Sequence, residues 1–150
     1  MLSRRGYDQR RCPGEQSVSN FYALEIVGAA GAEMVRAALL SVGPQGAIRR
    51  GGPDGAFSTR FPETLMLASF YPCRSAVSAD MFRDEGWLLS AYVLFTLHNA
   101  RLTQSYREID GLIGLLRRQA DCDFVLSFMY ETACAYKVAD TFFAAAPFAG

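Results

Sequence analysis

Apolar side chains surround the stretch 86–100 on every side. Eight of the ten residues from Leu88 to Leu97 are apolar, and only Ser90 and Thr96 interrupt them. A helix apolar all round must be wrapped by other elements or by lipid, and a lipid span needs about 20 such residues. This run begins after Arg83-Asp84-Glu85 and ends at His98-Asn99, so it reads as the buried central helix of a small globular protein. The rival reading is a strand, because Tyr92-Val93-Leu94-Phe95 has β-branched and aromatic character.

The flanking pattern also reads as helical. From Ser17 to Val42, apolar residues recur at helical spacing (Phe21, Leu24, Val27, Val35, Leu39), with Ser17 or Ser19 as cap and Gly43-Pro44 as stop. Gly28 and Gly31 inside that pattern cost helicity, about 1 kcal/mol each, and mark close approach of another group. Residues 43–60 are dense in Gly and Pro and read as a surface loop, and 1–16 as a flexible or short N-terminal segment. A short helix is expected over Glu63–Tyr71, another from Ser78 or Asp80, and an amphipathic one over Tyr106–Gln119 with Ile109, Leu112, Ile113, Leu115 and Leu116 inward. A last helix is expected from Asp121 or Asp123 through Ala146. The expected fold is therefore all-α: one domain over 1–150, with amphipathic helices around a buried apolar one.

Composition narrows the function more than the fold. Lys and Arg balance Asp and Glu at 15 each, which removes a general electrostatic case for nucleic acid or anionic lipid. The four cysteines have no Cys-x-x-Cys spacing and His98 is the sole histidine, a poor supply for zinc; reduced thiols are expected, with no metal and no cofactor. No phosphate-binding Gly-Lys-Ser/Thr occurs, and nothing in the order of residues sets an acid and a nucleophile around His98. Asp84-Glu85 and Asp121/Asp123 are better placed as helix-start residues than as acid–base pairs. The expectation is a protein that is not an enzyme.

Several short pieces, in order, resemble the Bcl-2 family of apoptosis regulators. Leu2-Ser3-Arg4-Arg5-Gly6-Tyr7-Asp8 is similar to the end of that family's first helix, and Val27-x-x-x-Gly31-x-Glu33 to the core of its third homology motif. Arg60-Phe61 resembles the entry to a short helix before the first homology motif, and Met81-Phe82-Arg83-Asp84-x-x-Trp87 resembles that motif, one residue shorter. Gln104-Ser105-Tyr106-Arg107-Glu108-Ile109 and Asp123-Phe124-Val125 resemble later pieces. The resemblance implies a Bcl-2-like helical bundle that regulates apoptosis, as an inhibitor, by taking an amphipathic helix of a pro-apoptotic partner into an apolar groove. Phe61, Phe82, Arg83, Trp87, Leu88 and Tyr92 would line or support that groove. It also implies a cytoplasmic protein, associated in some members with the mitochondrial surface and divergent enough here to suit a viral member. Trp87 is followed by Leu88-Leu89 where the family carries a pairing arginine, so binding would rest on apolar anchors. No transmembrane anchor is expected, and a homodimer is left open. The alternative is an unrelated all-α interaction or small-ligand-binding domain.

Overall fold

A computed structural model describes residues 21–42, 49–50, 55–119, 122–139 and 141–148. It overturns the all-α expectation. Among the described residues, eight strands form one sheet in the order β2-β3-β4-β5-β1-β6-β7-β8, with every neighbouring pair antiparallel. They are β1 (Tyr22–Val27), β2 (Arg49–Arg50), β3 (Phe57–Arg60), β4 (Leu67–Pro72), β5 (Ala91–Thr96), β6 (Asp123–Phe128), β7 (Thr132–Val138) and β8 (Thr141–Ala144). The described residues also hold two α-helices, α1 (Ala29–Leu40) and α2 (Leu102–Arg117), and two short 3-10 turns.

The expected central helix is the strand β5. It lies between β4 and β1, with Val93 opposite Leu24 and Tyr92 opposite Glu25. The cause of the misreading is physical. Val93 and Phe95 face the core beneath the helices, while Tyr92 and Leu94 face a second core on the other side of the sheet. A strand covered on both faces loses its apolar–polar alternation, and its residues then satisfy an all-round apolar helix equally well.

The expected helix 17–42 is a strand and a helix joined at Gly28, whose φ of 122° lies where a side chain is disfavoured. Glu63–Tyr71 holds a turn and β4, Asp80–Glu85 is one 3-10 stretch, and the expected last helix over 123–146 is the meander β6-β7-β8. The β6–β7 turn uses positive φ at Met129 and Tyr130 and closes with Glu131 N–H on Phe128 O at 3.0 Å, dihedrals usually adopted by Asn and Gly. Of the expected loop 43–60, the described parts include β2 and β3; the rest of it, like 1–16, lies outside the described residues.

One expected helix stands. α2 buries Ile109, Leu112, Ile113 and Leu116 against the sheet face formed by Leu24, Ile26, Phe124 and Leu126, with Val35 and Leu39 of α1 in the same core. Gly31 of α1 packs so close that a Cβ there would lie 2.2 Å from Cys122 Sγ, the close approach expected of such a glycine. Lys137, buried on β7, donates from Nζ to the carbonyls of Arg117 (3.3 Å) and Gln119, placing a cation at the negative end of α2.

The opposite face is covered by residues 73–90, which cross it as a strap. Val77, Ala79, Phe82 and Leu89 pack on Ala23, Tyr92, Leu94 and Val125. Backbone bonds fasten the strap: Ser90 N–H to Ile26 O at 2.8 Å and Asp80 N–H to Tyr130 O at 2.7 Å. No described helix is long and apolar enough to cross a membrane.

Candidate functional site

Beyond α1, the helix-covered face of the sheet runs on to β4 and β3, and an open cleft of about 540 Å³ is left there. Its helical wall is Ala29, Ala32, Glu33 and Arg36, residues on one side of α1 at helical spacing. Its floor is Phe70, whose ring stacks on Phe57 at 5.4 Å. Gly55, Pro72, Arg74 and Ser90 complete the rim. Gly55 has φ of 85°, and a Cβ there would come within 3.1 Å of Pro72 Cγ, so glycine shapes this edge of the cleft.

The polar groups are few. Arg36 donates from Nε (3.0 and 3.2 Å) and Nη2 (2.7 Å) to the Glu33 carboxylate. Their mutual hydrogen bonds hold the Glu33 carboxyl below its ordinary value and raise the guanidinium of Arg36. Ser90 Oγ accepts the N–H of Gly28 at 3.1 Å and fixes the start of α1. Gly28 at the N-cap has no side chain to cap the amides that follow, and the first turn carries no acid. Arg74, exposed at the mouth, makes no hydrogen bond or ion pair among the described residues. The two arginines against one glutamate give the cleft an excess positive charge over an apolar floor.

A second depression, about 160 Å³, is lined by Phe21, Tyr22, Phe95, Leu97, Asn99, Leu102, Tyr106 and Phe128. Burial, reinforced by the Tyr106 hydroxyl 3.5 Å away, raises the Tyr22 phenol above its ordinary value and keeps it neutral. It is smaller than typical ligand pockets, which run from about 300 to 1,000 Å³.

The residues expected to line a groove are divided by the sheet. Phe82 stacks on Trp87 at 5.0 Å and shares the strap-side core with Tyr92. Phe61 belongs to the core on the opposite face. Arg83 pairs with Asp80 on the strap, and Leu88 is 50% exposed. Three of the six are thus brought together, as the packing of the strap onto the sheet, and the six line no single surface. His98 sits at the start of a 3-10 turn, where Nδ1 accepts the N–H of Ala100 at 3.3 Å.

Arg36 and Arg74 were not singled out by the sequence. The cleft draws on α1, on Gly55, on the end of β4 and on Ser90, which are up to about 60 residues apart, and no local motif marks such an assembly. Among the described residues, no group of three or more His, Cys, Asp and Glu is placed to hold a metal ion. Comparison of the chain with protein-family models, with curated proteins and with solved structures gives no match.

Proposed function

We propose that this protein is a binding module for a small organic acid, a molecule with a flat apolar body and one anionic group, taken into the cleft between α1 and the β3–β4 side of the sheet. The observation that carries this reading is that one cleft is lined both by Phe70 and by Arg74, whose guanidinium has no partner among the described residues. The volume lies within the range of small-molecule sites. The uncapped first turn of α1 adds a favourable potential for the anion. Regulation of apoptosis through a captured helix rested on a helical-bundle groove; a sheet divides the residues meant to line it, so the reading moves to the cleft. Among the described lining residues Ser90 is the one hydroxyl, it already accepts a backbone N–H, and Glu33 is tied to Arg36, so the role is binding rather than catalysis.

The test is a ¹H–¹⁵N NMR titration with 2-naphthoate. About 13 non-hydrogen atoms at about 0.3 kcal/mol each correspond to a Kd of about 1 mM. Saturable shifts should centre on the amides of Ala29, Gly55 and Arg74, and Arg74→Glu should weaken binding roughly fivefold, as loss of an exposed charge pair allows. Shifts centred elsewhere, or no saturation, would contradict the reading.

A further inference from the structure

The sheet ends in two unlike edges. At one end of the described sheet stands β2, of which Arg49 and Arg50 are described. β8, Thr141-Phe142-Phe143-Ala144, holds no charge and no proline, and its register with β7 is unbroken. The described residues after β8 turn away from it. Phe148 N–H returns to Ala145 O at 2.7 Å, and the Phe148 ring is buried against Tyr22 and Tyr106 at 5.7 and 5.4 Å.

The direction of the free edge groups follows from one bond. Ala145 N–H donates to Cys134 O at 2.8 Å, which turns the backbone groups of Ala145, Phe143 and Thr141 toward β7. By alternation those of Phe142 and Ala144 point outward. They bracket Phe143, whose ring stacks on Tyr136 at 5.2 Å yet stays 42% exposed.

We propose that β8 pairs antiparallel with β8 of a second copy of this chain, around a two-fold axis at Phe143. The strand is its own complement in that register. Phe142 of each copy stands opposite Ala144 of the other, and their outward groups exchange four backbone hydrogen bonds. Phe143 faces its own copy at the non-hydrogen-bonded position, where side chains approach most closely. On the helix side, the Arg117 guanidinium lies 3.8 Å over the Phe142 ring, and the small Ala144 of the second copy leaves it room. The row Trp87–Phe82–Tyr136–Phe143, with ring separations of 5.0, 5.1 and 5.2 Å, then continues through the axis into the partner. The uncharged strand favours its own copy over a charged foreign strand, because no like charges meet at the axis and no opposite charge is there to be matched. Such a pairing is isologous and closes at two copies. It does not rest on the cleft, which lies toward the other edge of the sheet.

Sedimentation equilibrium of the full chain from about 1 to about 200 µM tests this, since the dimer fraction follows mass action. The expected mass is twice the 16.5 kDa of one chain. Phe143→Lys places two cations together and removes two buried rings, and should weaken the dimer about 100-fold or more with an unchanged circular dichroism spectrum. Ala144→Pro deletes an N–H that points away from β7 and should likewise give monomer. Should Phe143→Lys fail to fold, Ala144→Pro and Phe143→Cys decide, the latter because it should cross-link two copies on oxidation where the parent chain does not. A monomer at every concentration, an assembly that grows beyond two copies, or a dimer indifferent to these variants would overturn the proposal.

Discussion

Glu25, wholly buried in the middle of the central strand, accepts the backbone N–H of Ser78 at 2.7 Å on one carboxylate oxygen. Its other oxygen accepts the N–H of Ala79 at 3.0 Å. One acid in the sheet thus holds two consecutive amides of the strap, in the segment where the strap packs Val77 and Ala79 into the second core. Buried backbone donators of this kind need a partner, and a carboxylate is a strong one.

Glu25→Ala should therefore loosen the strap before it unfolds the sheet. Hydrogen bonds to a charged group contribute about 1.5–3 kcal/mol each, and buried donors left unpaired add to the loss. Chemical denaturation should show a stability lower by about 3 kcal/mol or more, and limited proteolysis should cut within 73–90 first. Unchanged stability with an uncut strap would contradict the latch.

Gly31→Ala should destabilise despite the gain of about 1 kcal/mol that alanine brings to a helix. The new Cβ would sit 2.2 Å from Cys122 Sγ and 3.1 Å from Leu116 Cδ2, and overpacking of this kind costs about 1–3 kcal/mol. Adding Cys122→Ala removes the nearest atom, so the double variant should recover part of the loss, a coupling readable in a double-mutant cycle.

Cys122 connects packing to pH. Burial pushes its thiol up to about 11 from an ordinary value of 9.0, against the opposing pull of Lys137. The unfolded chain releases that proton first, so the contribution of the neutral thiol to stability is complete below about pH 9 and is lost between about 9 and 11. Native protein at pH 8 should modify at Cys122 only as fast as it opens. Cys122→Ala should flatten the alkaline fall in stability, and an identical fall in both proteins would refute the assignment.

The elements legible in the sequence are those with one solvent face. α2 exposes Gln104 and Arg107 on one side and buries Ile109 and Leu116 on the other, so its 3.6-residue period survives. β1 and β5 have cores on both sides, and a strand buried twice carries no period of its own. Gly28 ends β1 and begins α1 through a positive φ, a break that a glycine within an apolar run does not announce. In the meander, Met129 and Tyr130 make a turn with residues that favour other conformations; Tyr130 is held there by its burial beside Phe21, at 5.2 Å, and by the strap. Gly31 signalled its close contact, which is with Cys122 and Leu116 in the core. The cleft stayed hidden because only the sheet order brings Arg74 and Ser90 beside α1.

The binding reading stands or falls on one comparison, calorimetric titration of 2-naphthoate against its neutral isostere 2-naphthamide, on the parent chain and on Ala29→Trp. Ala29 is exposed at the start of α1 and lines the cleft, so an indole there fills the site without entering the core. The account predicts that the acid binds the parent chain about fivefold or more tighter than the amide, as an added charge-assisted contact near the surface allows, and that Ala29→Trp loses both. Equal binding of acid and amide, or binding untouched by Ala29→Trp, would contradict it.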